Sequence, residues 1–203
     1  GYSLSGADAG NYNLKAQPAG VTARITAKDV TVTGITATSR PYAKDNLEVG
    51  LTGGTVSGMI SGDTVTVVLT NAKGTMTTAD ADTGKAVTVT GVVLGGADKD
   101  NYNLTAQPTG VTVNITQATY GNKTASGSAK YGANGTVDLS GLIVAGGTAT
   151  CAVTTGNDLL SSGPTMATGG KTLDFAFKDD AANATKTATV KVTVTSTNYQ
   201  PYD

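Results

Sequence analysis

Stretches in which apolar, mostly β-branched residues alternate with threonine recur along the whole chain. They fall at residues 21–26 (VTARIT), 30–33 (VTVT), 64–69 (TVTVVL), 86–90 (AVTVT), 111–115 (VTVNI) and 187–195 (TATVKVTVT). A period of two places Val, Ile or Ala on one face and Thr or a charge on the other, the signature of a half-buried strand. Val and Thr are also stiff at χ1 and suit a pleated surface. Gly-Gly, Gly-Asp, Asn-Gly and Ser-Ser-Gly-Pro separate these runs and read as turns. No window carries a sustained helical apolar face. The pattern therefore predicts an all-β chain, built as tandem antiparallel β-sandwich modules. Long threonine-rich strands expose edges to foreign pairing, and Lys191 and Lys186 are placed to discourage it.

An internal repeat divides the chain. Residues 1–26 read GYSLSGADAGNYNLKAQPAGVTARIT and residues 91–116 read GVVLGGADKDNYNLTAQPTGVTVNIT, the same residue at 17 of the 26 positions. The offset of 90 residues suits an array of whole domains and exceeds solenoid or propeller repeats. Residues 1–26 then represent the last strands of one repeat, residues 27–116 a complete repeat, and residues 117–203 a second, divergent module. Within the repeat, Leu4/Leu94 and Leu14/Leu104 are candidate core residues, and Gly6-Ala7-Asp8 and Gly96-Ala97-Asp98 form a turn. Tyr12 and Tyr102 are expected to bury the ring and hydrogen-bond the hydroxyl, as a corner tyrosine does. Residues 1–26 lack their own first strands, so partial disorder and pairing with the edge of the following module are both open. The tail Ser196-Thr197-Asn198-Tyr199-Gln200-Pro201-Tyr202-Asp203 is expected to lead into a further unit.

Composition narrows the chemistry. The chain has 203 residues with 37 Thr, 27 Gly, one Cys, no His and no Trp, and a formal net charge of −1. Without His there is no Ser-His or Cys-His catalysis and no imidazole base or metal ligand. A single Cys excludes an intrachain disulfide and a cysteine cluster. Fourteen dispersed Lys and Arg make no basic stripe for nucleic acid, and no apolar run is long enough for a membrane helix. Val, Ile, Leu and Phe total only 39 residues, lean for a globular chain, but the near-zero charge argues against disorder.

Candidate sites are few. The acid pairs Asp80/Asp82, Asp98/Asp100 and Asp179/Asp180 lie in turn sequence without aromatics to hold a sugar ring, so solvated turns outweigh glycosidase carboxylates. Asp80, Asp82, Asp98 and Asp100 are weak calcium candidates, because Asp-x-Asp and loop carbonyls suit a hard cation. No catalytic or cofactor-binding residue is assigned. Lys191 or Lys85 could serve a Lys–Asn isopeptide crosslink only if buried beside an acid. Asn-x-Thr triplets such as Asn103-Leu104-Thr105 are expected by accident in so threonine-rich a chain. Cys151 reads as a small buried hydrophobe.

The segments Arg40-Pro41-Tyr42, Ser61-Gly62-Asp63-Thr64-Val65, Thr83-Gly84-Lys85-Ala86-Val87-Thr88-Val89, Leu94-Gly95-Gly96-Ala97-Asp98 and Asn101-Tyr102-Asn103-Leu104, closed by Ile115-Thr116, together resemble the YDG repeat. That module is arrayed in large bacterial surface proteins and adhesins of the filamentous-haemagglutinin kind. The resemblance spans residues 28–116, with the name-giving Tyr-Asp-Gly replaced by Tyr42-Ala43-Lys44. Residues 117–203 resemble the immunoglobulin-like modules, ending in Ser-Thr-Asn-Tyr, of long bacterial surface proteins. These resemblances imply an extracellular or cell-wall-associated parent, a stalk or adhesive role and no enzyme activity. They imply neighbouring modules, and host glycan or protein, as partners, without membrane insertion. The alternative is a glycan- or host-protein-binding module that uses the loops at one sandwich end.

Overall fold

The protein is described by a computed structural model covering residues 1–203. The first module contains eleven strands: β1 (Lys28–Ala37), β2 (Arg40–Pro41), β3 (Glu48–Val49), β4 (Leu51–Ser57), β5 (Thr66–Val68), β6 (Lys73–Thr75), β7 (Asp82–Ala86), β8 (Thr88–Thr90), β9 (Val93–Gly95), β10 (Tyr102–Leu104) and β11 (Thr112–Thr116). They form four small sheets in the orders β10–β1–β4, β2–β11–β7, β3–β6–β8 and β5–β9. The chain is all-β, as the alternation predicts. Two of its ladders are nevertheless parallel, β1 with β10 and β2 with β11. The closing strands come back alongside the opening ones, pairing residues more than 70 apart in sequence, as in Lys28 with Tyr102.

The core of this module is a valine layer. Val30, Val32, Ile35, Val49, Val56, Val65, Val87, Val89, Val92, Val111, Val113 and Ile115 are buried together with Met76 and Tyr102. On β1 the alternation changes phase: Val30 and Val32 face inward, and so does Ile35. Gly34 (φ +73°) and Gly54 (φ +103°) lie across from each other in the β1–β4 ladder and produce the shift. A Cβ at Gly54 would stand 2.7 Å from Ile35 Cδ1, so only glycine lets the isoleucine turn in.

The second module contains β12 (Asn134–Asp138), β13 (Thr148–Thr155), β14 (Leu160–Met166), β15 (Thr172–Phe177) and β16 (Thr189–Thr195). They make one sheet in the order β12–β15–β14 and a separate pair β13–β16, all antiparallel. Its buried residues are fewer: Leu139, Leu159, Leu160, Leu173, Val194 and Tyr202. Phe175 and Phe177 meet edge to face at 5.4 Å on β15. Residues 119–133 contain no strand.

Residues 1–27 form no strand, contrary to the alternation of residues 21–26. Their hydrogen bonds are internal, and no other segment lies beside them to complete a ladder. The local shape of the repeat persists all the same. A 3-10 turn at Ala9–Asn11 matches that at Lys99–Asn101, and the Gln17 side chain clasps the backbone N–H and C=O of Tyr2 just as Gln107 clasps Val92. What differs is burial, since the side chains that are inside in the complete repeat face solvent in this one.

Candidate functional site

The carboxylates singled out from sequence act on the chain itself. Asp98 accepts the backbone N–H of Thr64 at 2.7 Å, while its own N–H donates to Thr64 O, which ties the Gly-Ala-Asp turn to the start of β5. Gly96 permits this approach: a Cβ there would lie 2.3 Å from Thr64 O. Asp82 caps the N–H of Thr83, and Asp100 forms an exposed pair with Lys99. Asp80 accepts the side-chain amide of Asn198 at 2.8 Å. Asp80, Asp82, Asp98 and Asp100 are thus spread among separate backbone tasks. The chain has no group of three or more His, Cys, Asp or Glu side chains placed to share an ion.

Tyr102 behaves as the repeat predicts. Its ring is buried, and its hydroxyl accepts the Ile60 N–H at 2.9 Å while donating to Asp63. Burial, and next the Asp63 bond, raise the phenol above its ordinary range. Asp63 belongs to the Gly-Asp signature of the repeat, but its role as partner of Tyr102 needs the fold to bring them together across 39 residues. Tyr12, in the same sequence context, is 72% exposed and makes no such bond, so the expectation of a buried ring fails there for want of packing partners. Tyr202 repeats the corner arrangement in the second module: its hydroxyl accepts from Val144 N–H and donates to Leu142 O.

Lys191 sits on β16 and pairs with Asp203 at 2.7 Å, with its side chain half exposed. That exposure is unlike the buried lysine an isopeptide bond requires, and Lys85 is only half-buried on β7, donating to Thr78 Oγ1. Cys151 is half-buried on β13, its thiol directed at Pro164 O. At the departure from Tyr-Asp-Gly, Arg40 donates to the carbonyls of Pro41, Asn46 and Glu48, and Asp45 takes a left-handed φ of 60° in the enclosed turn.

The most organised polar and aromatic site joins the two modules, and sequence reading saw only its Asn-Tyr signal. Asn198 of the second module receives the Ala81 N–H at 2.8 Å and gives its amide to Asp80. Tyr199 packs edge to face between Tyr42 of the first module and Tyr120, each at 5.4 Å, and Tyr120 continues to Tyr202 at 4.8 Å. Lys123 lies over the Tyr120 ring at 5.2 Å. Gln117 donates to the carbonyls of Ser196 and Thr197, and Ala118 bridges Tyr199 in parallel. Burial, with the neighbouring Tyr199 next in weight, pushes the Tyr42 phenol up.

These features define an all-β repeat whose polar side chains serve turns, corners and a module junction. Residues 26–110, most of the first module, match the YDG domain. Comparison with curated proteins and with solved structures gave no match. No helix of the chain is long and apolar enough to cross a membrane.

Proposed function

We propose that this chain is a non-catalytic part of a bacterial cell-surface protein, exposed outside the cell, that acts as a spacer or adhesin array. The observation that carries this reading is the junction: Asn198 and Tyr199 bind the first module through Asp80, Ala81 and Tyr42. A spacer needs modules held at a set angle, and a clamp of hydrogen bonds and stacked rings supplies one. Asp63, Asp82, Asp98, Asp138 and Asp180 are engaged in capping and corner bonds, and the aromatic side chains at the junction are engaged with each other. In the second module the reading extends to an immunoglobulin-like strand arrangement. Small-angle scattering of the chain tests it. The expected result is one elongated particle of fixed dimension; a broad distribution of inter-module distances would overturn it. A glycan array addresses the ligand-binding alternative, where a specific hit abolished by changing exposed Tyr131 would replace the spacer reading.

A further inference from the structure

Four of the chain's eight tyrosines lie in one contact series, Tyr42–Tyr199–Tyr120–Tyr202, whose successive ring centroids are 5.4, 5.4 and 4.8 Å apart. The other four, Tyr2, Tyr12, Tyr102 and Tyr131, have no second aromatic ring beside them. The chain has no Trp and no His. Tyrosine is therefore the aromatic side chain that gives up a single electron most readily, the phenylalanines being far harder to oxidise. Packing alone does not account for the hydroxyls. Tyr102 and Tyr202 hydrogen-bond theirs inside the fold. Those of Tyr42, Tyr120 and Tyr199 bond to nothing in the chain, these residues are half-buried, and phenylalanine would fill the same space.

The surroundings of each ring rank the four as electron donors. Tyr120 lies under the Lys123 ammonium at 5.2 Å, and a positive charge there opposes the loss of an electron. Tyr202 is buried, and its hydroxyl donates to Leu142 O, which is no base for the proton that must leave with the electron. Tyr42 and Tyr199 have neither handicap. After burial and the neighbouring Tyr199, the carboxylates of Asp80 and Asp45 act on the Tyr42 phenol. Negative charge favours removal of an electron from that ring, and a carboxylate or water takes the proton.

We infer that Tyr42 and Tyr199 are an oxidative cross-linking site, at which a haem peroxidase with hydrogen peroxide joins the two modules through a dityrosine bond. Each phenol loses one electron and one proton and becomes a tyrosyl radical. The two radicals couple through ring carbons ortho to the oxygens, forming one C–C bond, and the hydrogens on those carbons shift to the oxygens to restore both aromatic rings. The peroxide takes up the two electrons and two protons and leaves as two waters. A radical formed first on Tyr120 passes to Tyr199 across their ring contact, away from the Lys123 charge. The bond encloses residues 42–199 and makes a covalent joint of a clamp held by hydrogen bonds and packed rings. A cross-link over so long a loop restricts the unfolded chain strongly. The inference rests on the geometry of the junction and stands or falls without the spacer reading.

Treatment of the dilute full chain with hydrogen peroxide and a haem peroxidase, then isolation of the monomer and peptide mass spectrometry, tests the inference. The monomer is expected to gain dityrosine fluorescence. Its digest should contain the Tyr42 peptide joined to the Tyr199 peptide, two hydrogens lighter than the sum of the parts. Tyr42→Phe and Tyr199→Phe should each abolish the joined peptide, with circular dichroism showing that both variants fold, and Tyr131→Phe should leave it. The oxidised monomer should unfold at a higher temperature than the untreated chain, a rise missing from oxidised Tyr199→Phe. Absence of dityrosine, or cross-links only between molecules at exposed Tyr2, Tyr12 and Tyr131, would overturn the inference. So would a monomer whose bond runs from Tyr199 to Tyr120 or Tyr202.

Discussion

Ile25 and Ile115 occupy the same position of one repeat, flanked by nearly the same residues, yet the first is 98% exposed and the second 2%. Nothing local distinguishes them; only the surface each one meets does. Ile115→Ala removes three buried carbons from the valine layer and is expected to cost about 3 kcal/mol, measured by chemical denaturation of the first module. Ile25→Ala should change stability by less than about 0.5 kcal/mol. Equal effects would mean that residues 1–26 are packed. Candidate core positions were legible as apolar residues at alternate sites, but their burial was not, because burial belongs to a pair of surfaces. The same holds for the acids: Asp98 reads as a turn residue, while its bond to Thr64 depends on a contact 34 residues away.

At the scale of elements, strand type was legible and register was not. The runs at residues 64–69 and 187–195 became β5 and β16 with trimmed ends, and that at residues 111–115 became β11 shifted by one residue. The run at residues 86–90 was divided between β7 and β8, and that at residues 21–26 made no strand. The phase change on β1 comes from facing glycines, Gly34 and Gly54, which a reader of one strand cannot pair. Tyr102 joins elements in the same non-local way, by holding the segments at Ile60 and Asp63. Tyr102→Phe should lower the thermal midpoint of the first module, and Tyr12→Phe should leave it unchanged. In the folded chain the raised Tyr102 phenol favours its neutral form, so its contribution is complete below the unfolded value near 10 and is lost as pH rises from there through the folded value. An ultraviolet titration of tyrosinate followed beside circular dichroism should show Tyr102 ionising late, with loss of structure. Tyr102 ionising with the exposed tyrosines, in a folded protein, would contradict the Asp63 bond.

At the scale of the molecule, the junction decides whether two modules move as one. Tyr199 makes two edge-to-face contacts, each worth about 0.5–1.5 kcal/mol beyond the area it buries. Tyr199→Ala combined with Asn198→Ala should therefore release the modules, read by NMR relaxation as two rotational correlation times in place of one. Each module should keep its own fold, and a single correlation time in the double variant would show that the clamp is not what couples them. A pH effect belongs to the second module, in the residue next to Tyr202. Lys191, and then Thr193, hold the Asp203 carboxyl below its usual value, so this stabilisation is present above about pH 4 and is lost as pH falls through the folded value. Asp203→Asn should remove that acid-side slope from the unfolding curve of the second module, and an unchanged slope would assign it to other carboxylates.

By itself the sequence determined strand propensity, turn positions, the 90-residue repeat and its YDG character, along with the absence of imidazole and cysteine-pair chemistry. These are properties of residue type and spacing, and they survive even in residues 1–26, where the turn and the glutamine clasp form without a core. Tertiary structure alone decided which copy of the repeat is buried, which ladders run parallel, where Asp80 and Asp98 spend their hydrogen bonds, and that Asn198 and Tyr199 lock onto the first module. The physical reason is shared by all of these. Each depends on residues far apart in the chain meeting at atomic distance, and β pairing, unlike a helix, draws its partners from anywhere along the sequence.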